Sequence, residues 1–470
     1  MQTPLEIGVG QADITPAPGC PLSGFIARRG LPSETVDAPL TVTVLALREP
    51  STPCALLVDY TLLLLDAALA ARVKAALAQA LGPQFAPERC VLVTVHTHSG
   101  PPTSPLEGED PPDPAYLDRL VSQTVQAARA ALAALAPAEL HYAAVRVPGL
   151  TYNRRAVLAD GRVSINLEPD AAVLERGPVD DTLTALAWRD PQGRTLAVIL
   201  HFACHAAATC TLGISADIPG EFMRRAGALF GAPCLYLQGA TGDINPLTVA
   251  STRARMLDWC DQAWAHLADI PAQLRPLRST PFAIASAGLP LDLQPFPPRA
   301  ALEARIAALE RIAGGDFDSP EIQPALTAFA DLMNFKPGEK PDPVITTFMA
   351  AALAGSERNI LAAVDQPQPA PELALSVWSF GQVALAFLAA EVFAVTGFKI
   401  RALGAGQAVL PVSYAAPTIG YLPDREAMRK GGYEAAEAWR FYRQPAPFAP
   451  DSEERAVAAL RELLRQTKAG

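Results

Sequence analysis

Two histidines stand two residues apart in the segment Val91 to Pro102, which reads Val-Leu-Val-Thr-Val-His-Thr-His-Ser-Gly-Pro-Pro. Its aliphatic and β-branched start predicts a buried strand, in which alternation would place His96 and His98 on one face. The Ser-Gly-Pro-Pro that follows predicts a turn. Ligands bind at the carboxyl ends of strands in open α/β sheets, and imidazole is a common zinc ligand. The motif therefore favours a metal or catalytic site; the alternative is a pair of polar residues that close a strand.

A second pair of histidines follows another strongly apolar segment. Thr195 to His205 predicts a strand, and His201 and His205 would share one of its faces if the strand stays regular that far. Four of the six histidines in the chain thus lie in two short motifs at predicted strand ends. Cys204 is adjacent to His205 and could also be a ligand, although most single cysteines in apolar surroundings are simply packed.

The composition is that of a globular protein. Its 470 residues suffice for one very large domain or for two or three ordinary ones, and 50% hydrophobic against 18% charged residues argues against disorder. A net charge of −10 without a long basic run makes nucleic acid and anionic membranes poor partners. Seven cysteines without a CxxC pair, and a start without a signal-peptide pattern, predict reduced thiols and a cytoplasmic location.

Two apolar runs, residues 54–66 and 383–398, are candidates for membrane spans. Both are short, and the first contains Asp59 and Asp66, whereas the second contains Glu391 near its middle. Because a central carboxylate is costly in a bilayer, we predict that both runs are core elements and not transmembrane segments. Glu391 then needs a partner, since an unpaired buried carboxylate is also costly.

The whole chain alternates between strand and helix patterns. Strands are predicted at residues 5–15, 41–48, 55–59, 91–95, 139–147, 183–189, 195–205, 234–238 and, around a turn, 372–388, and helices at residues 67–81, 116–135, 218–230, 256–267, 299–313, 343–364 and 452–468. This alternation predicts an α/β fold, or an α+β fold, with a layered mixed β-sheet core flanked by helices. Because residues 270–372 are rich in proline and helical patterns, we predict one domain over 1–470 with an inserted helical arm there.

Eight segments, in the same order along nearly the whole chain, resemble motifs of the neutral, non-lysosomal ceramidases and their bacterial relatives. The most specific of them is the His-Thr-His-Ser-Gly-Pro motif. The segments are Gly10-Gln-Ala-Asp13-Ile-Thr15-Pro16, His96-Thr-His98-Ser-Gly-Pro, Asn153-Arg154, Val179-Asp180 with Leu183 and Leu186, Phe202-Ala-Cys-His205, Gly239-Ala-Thr-Gly242-Asp243-Ile-Asn245-Pro246, Gly381-Gln382 with Glu391 and Gly397, and Gly420-Tyr421 with Gly432-Tyr433-Glu434.

Taken residue by residue, the resemblance implies a zinc ion held by His96, His205, Glu391 and Tyr421. A zinc ion would also be the partner that a carboxylate in an apolar run requires. Tyrosine is an unusual zinc ligand, and the alternative for Tyr421 is a core tyrosine with a hydrogen-bonded hydroxyl.

The resemblance also implies three catalytic residues beside the metal. His98 would position the attacking water or pass protons, Arg154 would hold an oxyanion or a polar head group, and Tyr433 would donate to the scissile carbonyl or the leaving group. The alternatives are a buried structural ion pair for Arg154 and a packed aromatic for Tyr433. Asp13 and Asp243 would orient the metal ligands by hydrogen bonding to them, or would only cap turns.

The chain departs from the family pattern in several places. Asn245 stands where the ceramidases have serine, and Arg155-Ala156 replaces the usual Ser-Pro after the Asn-Arg pair. The chain also ends near where the carboxyl-terminal β-sandwich of the family would start. We expect these differences to leave the zinc chemistry intact. We expect them to affect the ability to act on ceramide in a membrane.

The resemblance implies a zinc-dependent hydrolase in which an activated water attacks an N-acyl amide bond of ceramide or of a related lipid-like or small-molecule acyl substrate. We expect short, soluble N-acyl or ester substrates to be preferred. The insert at residues 270–372, which includes the apolar segment 329–335, would either wall an apolar groove for the acyl tail or form an ordinary helical hairpin packed on the core. One alternative is a zinc esterase or lactonase, and another is a non-catalytic binding protein that kept the fold. A serine hydrolase built on Ser99 or Ser215 lacks the Gly-x-Ser-x-Gly elbow. The sequence does not indicate the oligomeric state.

Overall fold

The computed structural model describes residues 5–25, 28–50, 52–165, 167–277, 282–332, 342–366 and 369–469, with the backbone alone at 328–332 and 469. Within the insert at 270–372 that was expected to wall a groove, the segment 329–335 lies outside the residues whose side chains are described. The helices in the described ranges are α1 (Ala67–Leu81), α2 (Pro114–Ala133), α3 (Asp217–Phe230), α4 (Arg253–Ala265), α5 (Ile270–Gln273), α6 (Arg299–Ala313), α7 (Gln323–Leu332), α8 (Pro343–Asp365), α9 (Ala394–Ala402), α10 (Arg425–Lys430) and α11 (Ser452–Ala469).

The strands are of very unequal length, and the longer ones build the sheets. They are β1 (Glu6–Asp13), β2 (Thr35–Val36), β3 (Thr41–Arg48), β4 (Cys54–Tyr60), β5 (Phe85–Thr94), β6 (Ala136–Pro137), β7 (Glu139–Arg146), β8 (Thr151–Asn153), β9 (Ala156–Val157), β10 (Val163–Ser164), β11 (Glu175–Arg176), β12 (Thr182–Arg189), β13 (Thr195–Phe202), β14 (Gly213–Ile214), β15 (Cys234–Gln238), β16 (Ile244–Pro246), β17 (Arg275–Pro276), β18 (Ala283–Pro290), β19 (Glu372–Ser379), β20 (Val383–Leu388), β21 (Glu391–Val392), β22 (Ala408–Val412) and β23 (Tyr421–Leu422).

Local sequence signals fix the ends of helix α1. The carboxylate of Asp66 accepts a hydrogen bond from the backbone N–H of Leu69, which caps the first turn. Leu69, Val73 and Leu77 recur at helical spacing and are buried. The helix stops before Gly82, whose φ of 57° is unfavourable for residues with a Cβ.

Three mixed sheets make up most of the fold. The first sheet has the strand order β5-β4-β3-β1-β6, the second β15-β13-β12-β7-β17 and the third β18-β19-β20-β22. Each contains one parallel pair, namely β4 with β5, β13 with β15, and β20 with β22. The other pairs in these sheets are antiparallel.

The sheets and helices form layers. Helices α1 and α2 cover the outer face of the first sheet, and α3 and α4 cover the outer face of the second. The inner faces of both sheets share the largest apolar core with the third sheet, through residues such as Leu57, Ile199 and Val377. This arrangement confirms the predicted α/β class with a layered mixed-sheet core.

Residues 270–372, where a helical arm was expected, contain helices and strands. Helices α6 and α8 pack on each other and share a small apolar cluster with α7 that includes Ile312 and Met349. Strand β18, by contrast, pairs along its whole length with β19 of the third sheet. In the described part of the chain, no helix combines the length and the apolar character needed to cross a membrane.

Candidate metal centre

The predicted site residues follow the carboxyl ends of three strands, one from each large sheet. His96 and His98 come after β5, His205 after β13, and Glu391 after β20. Each of these strands belongs to the parallel pair of its sheet. The three sheets therefore present their ligand-binding edges to one common point.

Backbone and side-chain hydrogen bonds join these strand ends. The side-chain amide of Gln238, at the end of β15, donates to the carbonyl oxygen of Val95 at 2.8 Å. The carbonyl oxygen of Gln238 accepts from the N–H of Ser413 at 3.0 Å, and that of Tyr414 accepts from the N–H of Thr94 at 3.2 Å. The site is thus built on connected sheet edges and not on independent loops.

His96 is not part of a strand, contrary to the simple alternation expected for the pair. Strand β5 ends at Thr94, and His96 has a φ of 62° in the left-handed region, which is strained for a residue with a Cβ. Its Nδ1 lies 2.9 Å from the carbonyl oxygen of Leu63 and its Nε2 lies 3.5 Å from Oε2 of Glu391. Burial lowers the pKa of His96 to about 3, so the ring is neutral.

The imidazoles of His98 and His205 meet beside His96. Their Nε2 atoms are 3.0 Å apart, and the rings of His96 and His205 are perpendicular with centroids 4.8 Å apart. Candidate ligand atoms of all three histidines lie within 4.8 Å of one another. Burial holds the pKa of both His98 and His205 well below the usual range.

The carboxylate of Glu391 is buried and surrounded by tyrosines. Its Oε2 accepts a hydrogen bond from the hydroxyl of Tyr414 at 3.0 Å, and its Oε1 accepts one from Tyr442. Burial raises the pKa of Glu391 to about 7, although these hydroxyls and the guanidinium of Arg154 act in the opposite direction. Neither Tyr414 nor Tyr442 was singled out from the sequence, because no motif joins them to the glutamate.

Tyr421 lies beside Glu391 because strands β21 and β23 are parallel neighbours in which these two residues are paired. Its hydroxyl accepts a hydrogen bond from Nη2 of Arg154 at 2.8 Å. Burial raises the pKa of Tyr421 well above its usual value, while Arg154 lowers it. Deprotonation of this phenol therefore requires a further positive charge close to it.

Arg154 is both a site residue and part of a buried ion pair. Its Nε donates to Glu434 at 2.8 Å, and Nη1 of Arg155 donates to the other oxygen of that carboxylate at 2.6 Å. Tyr433 precedes Glu434 in a π-helical turn, and its ring centroid is 6.1 Å from that of Tyr421. Arg155 thus helps to hold the segment that carries Tyr433.

Three other residues considered from the sequence lie outside the cluster of histidines. Strand β13 ends at Phe202, so His201 and His205 do not share a strand face, and His201 contacts the carbonyl oxygen of Pro411 at 2.6 Å. Asp13 is exposed and accepts from the N–H of Thr15 at 2.6 Å, as a turn-capping residue does. Asp243 accepts from the N–H of Ala394 at 2.8 Å, just after Glu391.

A cavity of about 430 Å³ reaches His98, His205 and Arg154. This volume falls within the range of roughly 300–1,000 Å³ that is typical of small-molecule sites. The larger apolar side chains that line it include Phe25, Tyr152, Ile165, Leu167, Leu247 and Val249. Asn245 also lines it, and its Oδ1 is 3.4 Å from Nη1 of Arg154.

The donor set fits a zinc ion. Nδ1 of His96 and Nδ1 of His205 face the carbonyl oxygens of Leu63 and Thr241, at 2.9 and 3.3 Å, so each ring donates there and leaves its Nε2 unprotonated. Nε2 of His205 would bind a metal in place of its present contact with Nε2 of His98. Two neutral imidazoles and the carboxylate of Glu391 are ligands that zinc accepts. The candidate ligands from three separate sheets thus offer nitrogen and oxygen in one buried place.

Comparison with known proteins identifies the fold. No family model and no curated protein sequence matches the chain. Among solved structures, the neutral ceramidase from Pseudomonas aeruginosa is similar over 99% of this chain and 75% of its own, with a TM-score of 0.68 and 18% identity. A ceramidase complexed with C2 is similar over 99% of this chain and 76% of its own, with a TM-score of 0.67 and 16% identity. The chain therefore has the fold of the neutral ceramidases.

Proposed function

We propose that the protein is a zinc-dependent hydrolase that cleaves an N-acyl amide bond, with His96, His205, Glu391 and Tyr421 as the zinc ligands. The observation that carries this proposal is the close approach of these side chains. The ring centroids of His96 and His205 lie 4.8 Å apart, Nε2 of His96 lies 3.5 Å from Oε2 of Glu391, and Tyr421 is paired with Glu391 in adjacent strands. His205 also lines the cavity. The likeness to a neutral ceramidase supports the choice of an amide substrate.

Zinc, when bound, would polarise the scissile carbonyl group and make water nucleophilic near neutral pH. His98 would take a proton from the attacking water and pass it to the leaving amine, which is supported by its position on the cavity wall beside His205. Arg154 and Tyr433 would stabilise the negative charge that develops on the carbonyl oxygen. The fixed guanidinium of Arg154 needs little reorganisation, since Glu434 and Tyr421 already hold it.

The first test is metal content. Purified protein is expected to carry about one zinc per chain, as measured by plasma mass spectrometry. His205→Ala should lose the zinc and the activity while keeping the far-UV circular dichroism of the parent. The control is His266→Ala, because His266 is exposed and belongs neither to the histidine cluster nor to the cavity lining. Full zinc occupancy in His205→Ala would refute the ligand assignment.

The second test is substrate preference. We expect a higher kcat/KM for a soluble N-acyl amide and for a fluorogenic short-chain ceramide than for a long-chain ceramide in detergent. The matched ester and lactone of the same acyl group distinguish the amidase from an esterase or lactonase. A clear preference for the long-chain ceramide would contradict the expected soluble substrate and would show that ceramide itself is preferred, in spite of the departures from the ceramidase pattern.

A further inference from the structure

Two tyrosines that are not among the proposed ligands bond both oxygens of the Glu391 carboxylate. Tyr414 donates to Oε2 at 3.0 Å and Tyr442 donates to Oε1. An ionised carboxylate has about four lone-pair directions, so these two hydrogen bonds leave the remaining directions for a metal and for Tyr421, which also hydrogen-bonds this carboxylate. They also fix the rotation of the carboxylate, which would otherwise be determined by the metal alone.

Tyr414 is held in place by the backbone as well as by its ring. Its φ of 58° lies in the left-handed region, which is strained for a residue with a Cβ. Such strain persists only where the surrounding structure enforces it, and it is concentrated at functional sites. Its N–H donates to Ala390 at 3.1 Å and its carbonyl oxygen accepts from Thr94 at 3.2 Å. Its ring stacks on that of His96, with centroids 4.0 Å apart and planes inclined by 17°. Tyr414 therefore contacts two proposed ligands at once.

Tyr442 reaches Glu391 because Gly420 leaves room for it. A Cβ built on Gly420 would lie 2.9 Å from Cγ of the Tyr442 ring, and the φ of this glycine is +96°. The ring of Tyr442 is also perpendicular to that of Tyr421, with centroids 6.1 Å apart. The glycine before Tyr421 thus has a physical role, since any side chain there would displace the donor to Glu391.

We propose that Tyr414 and Tyr442 are positioning residues that orient Glu391, and through the ring stack also His96, for metal binding. This inference rests on the proposed function, because it presumes that Glu391 and His96 are ligands. Loss of an outer hydrogen bond to a metal ligand typically weakens metal affinity by about 10- to 100-fold. Either hydroxyl should therefore contribute to zinc affinity without touching the ion.

The experiment compares the zinc dissociation constants of the parent, Tyr442→Phe and Tyr414→Phe by competition with a chromogenic chelator. Both variants should bind zinc about 10- to 100-fold more weakly, with apo-protein melting temperatures close to that of the parent. Tyr60→Phe is the matched control, because the buried Tyr60 hydroxyl bonds Thr124 away from the site. It should keep the zinc affinity of the parent.

Two outcomes separate this inference from the proposed function. If the parent binds zinc, His205→Ala does not, and Tyr442→Phe and Tyr414→Phe bind it as tightly as the parent, the positioning role is wrong and the proposed function stands. If the parent itself binds no zinc, the proposed function fails and this inference fails with it. Should Tyr414→Phe not fold, the less enclosed Tyr442→Phe decides the question alone.

Discussion

Ser99 is adjacent to His98 in the chain, yet its hydroxyl belongs to a different hydrogen-bond network. Nη2 of the buried Arg28 donates to Ser99 Oγ at 2.9 Å, and Thr209 Oγ1 lies 3.3 Å from it. Among the described residues, its hydrogen bonds involve no imidazole. A serine nucleophile needs an adjacent base, so the geometry favours a structural role for this hydroxyl.

Ser99→Ala should therefore retain at least about a tenth of the kcat/KM of the parent, while losing roughly 1–3 kcal/mol of stability because Arg28 loses an acceptor. The measurements are steady-state kinetics and urea unfolding. A fluorophosphonate probe should not label the protein. Stoichiometric labelling of one serine with loss of activity would contradict the water-based mechanism.

At the scale of elements, helices α6 and α8 support the segment that carries the site tyrosines. The buried Glu357 of α8 accepts from Arg305 of α6 at 2.9 Å and faces Arg440 at 3.4 Å, two residues before Tyr442. Phe441 packs against the apolar cluster of these helices. The helical arm is thus connected to Tyr442 through a buried charge.

Glu357→Gln should destabilise the protein by about 2 kcal/mol, less than for a fully enclosed pair, because Arg305 is partly exposed and water screens its charge. It should also lower kcat, since the segment with Tyr433 and Tyr442 loses its anchor. The control is Glu310→Gln, which breaks the exposed pair with Arg358 between the same two helices and should cost less than about 0.5 kcal/mol. Equal effects of both variants on unfolding and on kcat would refute this coupling.

For the whole molecule, a buried acid joins the first and second sheets. Oδ2 of Asp59, in β4, accepts from the backbone N–H of Tyr236, in β15, at 2.8 Å, and Oδ1 has no partner among the described residues. Burial raises the pKa of Asp59 to about 8 from an ordinary value of 3.8. The native state thus binds a proton that the unfolded state releases between these two values.

Because the unfolded state binds fewer protons in this range, Asp59 makes the native state less stable as the pH rises from about 4 to about 8. Asp59→Asn removes this dependence, so its stability relative to the parent should increase between pH 6 and pH 8. Each tenfold change in proton affinity corresponds to about 1.4 kcal/mol. The change in the stability difference between Asp59→Asn and the parent should therefore reach a few kcal/mol. Urea unfolding at each pH measures it, with the exposed Asp258→Asn as control. A difference that is independent of pH would contradict the raised pKa.

Local patterns alone determined most of the elements. The bounds of α1, β3 and β15 agree with the sequence prediction, because periodic apolar residues and flanking Gly, Pro or polar residues act within a few positions. The residue types of the candidate ligands could also be predicted from the sequence, since histidines are few in this chain and a glutamate within an apolar run requires a partner. The four proposed ligands were chosen by family resemblance, and the fold places them together.

The tertiary structure decided how these residues meet. His96 reaches Glu391 through a left-handed turn and not through strand alternation. His201 and His205 do not share a strand face, because β13 ends at Phe202. Tyr414 and Tyr442 reach the carboxylate from 23 and 51 residues away. Such contacts depend on the packing of three sheets and on the room left by one glycine. No local pattern encodes them, because sequence periodicity fixes which face of an element is buried but not which distant side chain it will contact.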